Sequence, residues 1–172
     1  MNVKYLLPFI EAAYEVLQAE VKCKMQRGEL LLEKSHYVTN DLTVIVSMVG
    51  DIEGTVFYSM NNKTAMFISS AILGEQLEEM NSIAQSGVAE LGNVITGRAS
   101  VKLSSAGFNS NISPPTLLMG KGAVISTLDY TRLIVPLTGE PGEIIIHLAL
   151  REGTHKGLST PNISVPVAPL KK

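Results

Sequence analysis

The strongest constraint on this chain is a recurrence. A long helical pattern, a set of strand-like runs and a glycine-spaced hairpin (Gly50 and Gly54) come once, then return about 80–90 residues later, ending at Gly139 and Gly142. That offset is too long for a solenoid period of 20–50 residues. It predicts two related halves sharing one core. The expected fold class is α+β: two long helices packed on a largely antiparallel sheet, built as two pseudo-repeated halves. With 172 residues, 45% of them apolar, the chain has the length for one such core.

Along the chain, residues 3–25 read as an amphipathic helix. Leu6, Phe9, Ala13, Val16 and Leu17 form its apolar face, and Gly28 its stop. Strand-like runs follow at 29–37, 42–49 and 55–60, with Asp51-Ile-Glu-Gly54 as the turn of a hairpin. Asn61 and Asn62 offer caps for a short helix, 63–73, that Gly74 ends. A second long helix is expected over 81–105, then strands at 112–119, 123–128, 132–137 and 143–150. Residues 1–150 therefore form the expected domain, and 151–172 a polar C-terminal segment with Pro161, Pro166 and Pro169. Its alternation at Ile163, Val165 and Val167 fits either a frayed tail or an edge strand or arm.

Composition excludes several classes. A formal net charge of −2 speaks against nonspecific nucleic-acid binding, which depends on a concentrated basic surface. No apolar run reaches the ~18 residues of a membrane span, and the first residues do not read as a secretion signal, so a cytoplasmic setting is expected. The single cysteine, Cys23, rules out an intrachain disulfide and a cysteine-based zinc site. Late in a helix and without a neighbouring base, it reads as a core residue rather than a nucleophile. Phosphate-loop, nucleophile-elbow and paired-histidine motifs are missing. His36, His147 and His155 lie apart and read as structural or surface residues.

What remains is the second long helix, Ser86-Gly-Val-Ala-Glu90-Leu-Gly-Asn93-Val-Ile-Thr-Gly97. At about 100° per residue, Ser86, Glu90, Asn93 and Gly97 fall within about 60° of one another. Ala84, Val88, Leu91, Ile95 and Ala99 form a stripe on the opposite side. One face goes to a core, and the other presents a hydroxyl, a carboxylate and a carboxamide. Gly87, Gly92 and Gly97 cost about 1 kcal/mol each against alanine inside a helix. Either close packing on the sheet or clearance for a partner near Asn93 offsets that cost.

The pattern Asp/Ser-x-x-x-Glu-x-x-Asn-x-x-x-Gly at Ser86, Glu90, Asn93 and Gly97 resembles the signature of the CheC/CheX/FliY phosphatases of bacterial chemotaxis. The resemblance extends to Gly50-Asp-Ile-Glu-Gly54-Thr-Val-Phe, to Ala71-Ile-Leu-Gly-Glu75 and to Ile112-Ser-Pro-Pro-Thr-Leu-Leu-Met-Gly120, in order over roughly residues 5–150. It implies hydrolysis of the aspartyl phosphate on a CheY-like receiver. Asn93 would position the water and Glu90 would pair with the receiver's lysine. Gly97 would give clearance, and Ser86 would either touch the partner or only solvate the face. The magnesium would belong to the receiver, and this chain would carry no cofactor of its own. Two-site members repeat Glu-x-x-Asn on the first helix, where this chain has Glu11-Ala-Ala-Tyr14. A single site resembles CheX, which implies a homodimer. The alternative reading is a noncatalytic adaptor that binds a receiver or motility component through the same helix.

Overall fold

The computed structural model describes residues 5–34, 36–128 and 130–154. Helix α1 (Leu7–Val16) starts with Pro8 in its first turn, where the missing N–H costs nothing, and continues as a π-helical turn, Leu17–Val21. Three short strands follow, β1 (Met25–Arg27), β2 (Leu31–Glu33) and β3 (His36–Val38). The long hairpin β4 (Leu42–Gly50) and β5 (Ile52–Met60) comes next, then α2 (Asn62–Leu73). The second half repeats the order: α3 (Ser82–Ser105), β6 (Ser110–Ile112), β7 (Thr116–Met119), β8 (Val124–Ser126), and the hairpin β9 (Arg132–Gly139) and β10 (Gly142–Glu152).

The main sheet runs β1–β9–β10–β5–β4–β6, with β2 also on β9 and β7 also on β4. The antiparallel β5–β10 pair is its centre, with Phe57 opposite His147. Each half's edge strand is broken and pairs with the other half: β1 and β2 along β9, β6 and β7 along β4. The third strands, β3 and β8, pair with each other as a separate ribbon. The arrangement is a pseudo-two-fold, and the expected α+β class with two related halves is what the chain forms.

Alternation along the strands sends Leu42, Val44, Val46 and Met48 to the core shared with the helices. Each such side chain, once buried, contributes about 1.5–3 kcal/mol. On the opposite face, Ile45, Phe57 and Ala149 meet Tyr37, Ile125 and Tyr130 under the ribbon. Cover on both faces explains why β4 reads as nearly continuous apolar sequence.

Four boundaries differ from the sequence expectation. The first helix closes at Lys22, whose φ of 57° is left-handed, so Cys23 lies after it, buried. Gly28 is no helix stop; it lies between β1 and β2, where its N–H donates to the Pro136 carbonyl. The hairpin turn is Gly50-Asp51, and Gly54 sits inside β5 opposite Leu150. There φ is 137° and a Cβ would stand 2.0 Å from the Ala149 carbonyl oxygen, so the glycine answers to a close strand approach. The runs at 29–37 and 112–119 are each interrupted; in the second, Pro114 and Pro115 lack the N–H a ladder needs. Residues 155–172, which hold most of the C-terminal segment, lie outside the described residues.

Candidate functional site

Helix α3 is fixed at its start and in the middle by contacts its sequence supplies. Asn81 caps it, its Oδ1 accepting from the Ile83 and Ala84 amides at 3.1 and 3.0 Å. Ser69 of α2 donates to the Ala84 carbonyl at 2.8 Å, and Gly87 lies against Ser69. At Gly92 the helix comes closest to the sheet: a Cβ there would stand 2.7 Å from Val44 Cγ1 and 3.0 Å from Tyr58 Cδ2. One turn on, the Tyr58 hydroxyl and Thr96 Oγ1 are 2.7 Å apart, and Thr96 donates to the Gly92 carbonyl at 2.8 Å. Burial pushes the Tyr58 phenol well above its ordinary pKa, so it stays protonated and serves as the donor to Thr96. The stripe Ala84, Val88, Leu91, Ile95 and Ala99 is buried, as the periodicity predicts.

The opposite face carries the expected site residues. Ser86 and Glu90 are exposed, and Asn93 and Gly97 are half-buried. Glu90 and Asn93 are brought together: Asn93 Nδ2 donates to Glu90 Oε2 at 3.4 Å, a long hydrogen bond. A carboxylate only accepts, so the contact turns the amide nitrogen toward Glu90 and leaves the carbonyl oxygen aimed elsewhere, as an acceptor. Ser86 Oγ donates to the Ser82 carbonyl at 2.9 Å, one turn back on its own helix. It does not touch the Glu90–Asn93 pair by any bond seen here. The glycines separate: Gly92 is required by packing, whereas a Cβ at Gly97 would meet only Ile112 Cδ1, at an ordinary 3.6 Å.

The first helix presents the contrasting arrangement. Glu11 pairs with Lys102 at 3.2 Å, and Glu15 pairs with Lys102 at 2.8 Å and with Arg98 at 3.5 Å. The Lys102 hydrogen bond holds the Glu15 carboxyl below its usual range, and Glu15 with Glu11 raises the Lys102 ammonium. Tyr14, the last residue of the Glu11-Ala-Ala-Tyr14 stretch, packs on the core. These bridges were not anticipated from the sequence.

A second feature missed by sequence reasoning lies on the far face of the sheet. Arg132 is 0% exposed; it donates from Nε to His147 Nδ1 at 3.2 Å and pairs with Glu33 at 2.8 Å. Tyr37 stacks on His147 at 4.3 Å, and the Arg132 guanidinium lies over the Tyr37 ring at 4.8 Å. Burial first, and Arg132 second, lower the His147 pKa from 6.5 to about 3. His147 is thus a neutral acceptor that orients Arg132, a structural role, as its isolation in sequence suggested.

Among known proteins, CheY-P phosphatase CheX of Thermotoga maritima is 23% identical over 154 residues, covering 89% of this chain and 99% of that one. The structure of a CheX–CheY–BeF3–Mg complex from Borrelia burgdorferi matches with a TM-score of 0.75 at 28% identity, over 88% of this chain and 100% of that one. A CheC-like superfamily protein from Shewanella matches with a TM-score of 0.80 at 25% identity, over 88% and 99%. A family description, chemotaxis phosphatase CheX, matches residues 42–138, which take in both central hairpin strands of the first half and all of α3. With the helix, its outward Glu90–Asn93 pair and more than half of the chain inside that match, this protein belongs to the chemotaxis phosphatase CheX family.

Proposed function

We propose that this protein is a cytoplasmic phosphatase that hydrolyses the aspartyl phosphate of a CheY-like receiver domain. The observation that carries the reading is the Glu90–Asn93 pair on the outward face of a helix locked to the sheet at Gly92. Support comes from the Thermotoga relative, named for action on CheY-P, and from the Borrelia relative, crystallised with CheY.

The chemistry suits a site made of so few groups. An acyl phosphate is already activated, and phosphoryl transfer leaves little covalent work to a protein. In this reading the receiver supplies its own magnesium and lysine, and this chain supplies no cofactor. Glu90 pairs with the receiver's lysine, a charge-assisted bond that strengthens as the interface excludes water. Once Glu90 turns to that lysine, the Asn93 amide is free to hold a water in line with phosphorus, its carbonyl oxygen accepting a hydrogen bond from that water. The water oxygen bonds to phosphorus as the bond from phosphorus to the aspartyl oxygen breaks. The aspartate leaves as carboxylate, and the water's protons go to the phosphate and solvent. Gly97 gives the partner clearance one turn further on. Ser86, bonded to its own backbone, borders the interface. Pairing as a homodimer belongs to the same proposal and is read directly by sedimentation velocity.

The test is loss of aspartyl phosphate from a panel of receivers with magnesium, wild type beside Asn93→Ala. The variant is expected to lose the acceleration by about 100-fold or more, since misplacing the attacking group costs that much. Its stability should stay within about 0.5 kcal/mol, because Asn93 is only half-buried and its bond to Glu90 is long. An Asn93→Ala protein with wild-type rates would overturn the mechanism.

A further inference from the structure

Beyond the Glu90–Asn93 face, a groove of about 780 Å³ lies between the C-terminal half of α3 and the β4–β5 turn. Its floor and walls include Val49, Asp51, Val101, Ser104 and Asn109. Val49 and Val101, 68% and 67% exposed, stand on two walls of this one groove. The walls are braced independently of any occupant. Asp51 accepts from the Asn109 amide at 2.8 Å, Ser100 donates to the Ser110 carbonyl at 2.9 Å, and Ser110 Oγ accepts from the Ile52 amide at 2.9 Å. The groove is a preformed seat.

The chain itself arrives at its mouth. After β10, the Gly153 amide donates to the Asp51 carbonyl at 2.8 Å, and a Cβ on Gly153 would lie 1.9 Å from the Gly50 carbonyl oxygen. The last described residues are thus pressed on the turn that forms one wall. The 18 residues beyond them, 155–172, contain three lysines, one histidine and no acidic residue, together with Ile163, Val165, Val167 and Leu170. Glu53 in the groove already holds Arg151, which leaves Asp51 as the groove's acidic point. The apolar residues and positive charge of that sequence are complementary to exposed valines beside a carboxylate. The connection is immediate, so the effective concentration is that of a very short linker, in the millimolar range.

We propose that this groove is the seat of the chain's own C-terminal segment, bound in cis, with the Ile163–Val167 stretch covering Val49 and Val101. Extended, the nine steps from Thr154 to Ile163 could reach about 30 Å, ample for the groove. Val101 lies about 12 Å along α3 from Asn93, so the seated segment borders the approach to the catalytic face.

Disulfide trapping in the full chain tests this without reference to phosphatase activity. Val101→Cys with Val165→Cys, oxidised in dilute solution, is expected to give an intrachain disulfide at least fivefold faster than Val124→Cys with Val165→Cys. Val124 is 66% exposed but stands on the ribbon, away from this groove. Mixing isotopically heavy and light chains before oxidation should give linked peptide pairs of one label only. In a second measurement, Val165→Asp with Val167→Asp should speed maleimide labelling of Val101→Cys by several fold. Equal trapping at positions 101 and 124, or labelling unchanged by the aspartates, overturns the proposal; mixed-label disulfides overturn the cis arrangement in favour of a second copy.

Discussion

The two long helices occupy related places in the two halves, yet they are used in opposite ways. On α3, Glu90 contacts only its neighbour Asn93 among the bonds described, and both face outward. On α1, Glu11 is held by Lys102, Glu15 by Lys102 and Arg98, and Tyr14 is packed on the core. The same divergence appears at the centre of the sheet, where Phe57 of one half faces His147 of the other. A duplicated scaffold here leaves a carboxylate–carboxamide pair facing outward on one side and turns the matching side into a brace. What separates a site from a brace is not the carboxylate, which both helices have. It is whether the partner helix supplies a cation to occupy it.

That comparison can be broken or sharpened, beginning with the loss at Asn93, the largest effect expected. Next comes packing. Gly92→Ala places a Cβ 2.7 Å from Val44 and should destabilise by about 1–3 kcal/mol, whereas Gly97→Ala makes only an ordinary contact with Ile112 and should gain up to about 1 kcal/mol of helix propensity. Urea midpoints of the two variants moving in the same direction would remove the distinction between a packing and a clearance glycine.

The His147–Arg132 contact beneath the ribbon should also make stability depend on acid. His147 titrates near 6.5 when unfolded and at about 3 when folded, so the unfolded chain binds the extra proton between those values. Its contribution is therefore fully present above pH 6.5 and is lost as pH falls toward 3, at up to about 1.4 kcal/mol per pH unit. His147→Gln keeps an acceptor for Arg132 and should flatten that slope; an unchanged slope between pH 6 and pH 4 would assign the acid sensitivity elsewhere.

Smaller still is the brace. Lys102→Met removes two exposed bridges and should cost no more than about 1 kcal/mol, with a weaker effect in high salt. Least of all, Tyr14→Asn should add no second phosphatase site in an Asn93→Ala background, because Glu11 stays engaged by Lys102. Activity restored in that double variant would show that Tyr14 alone keeps the first helix from serving as a site.

These contrasts also mark what could be read from sequence. The face of α3 was legible because its information is local: spacing decides which residues share a helix side, and Asn81 and Gly74 announce where helices begin and end. The bridges between α1 and α3 join residues 83 to 91 positions apart, and nothing in either segment names its partner. Gly54 misled for the same reason, since its need for φ of 137° comes from Ala149 on a strand of the other half. The broken edge strand at Pro114 and Pro115 was written in the sequence, but the apolar residues on either side outweighed it. Arg132 and His147 met beneath the ribbon only because β9 and β10 place them on one face.

The crossed edge strands have a consequence for how such a protein ages over evolution. Because β1 and β2 complete the sheet of the second half, and β6 and β7 that of the first, neither half owns all of its own hydrogen-bonded neighbours. Folding must wait for pairings between distant parts of the chain, which makes it slow relative to a helical bundle of the same size. It also makes each half indispensable to the other. Deleting the first would strip the second of an edge strand and of the helix that braces α3. Side chains on either helix can change over time, but neither half can be dropped.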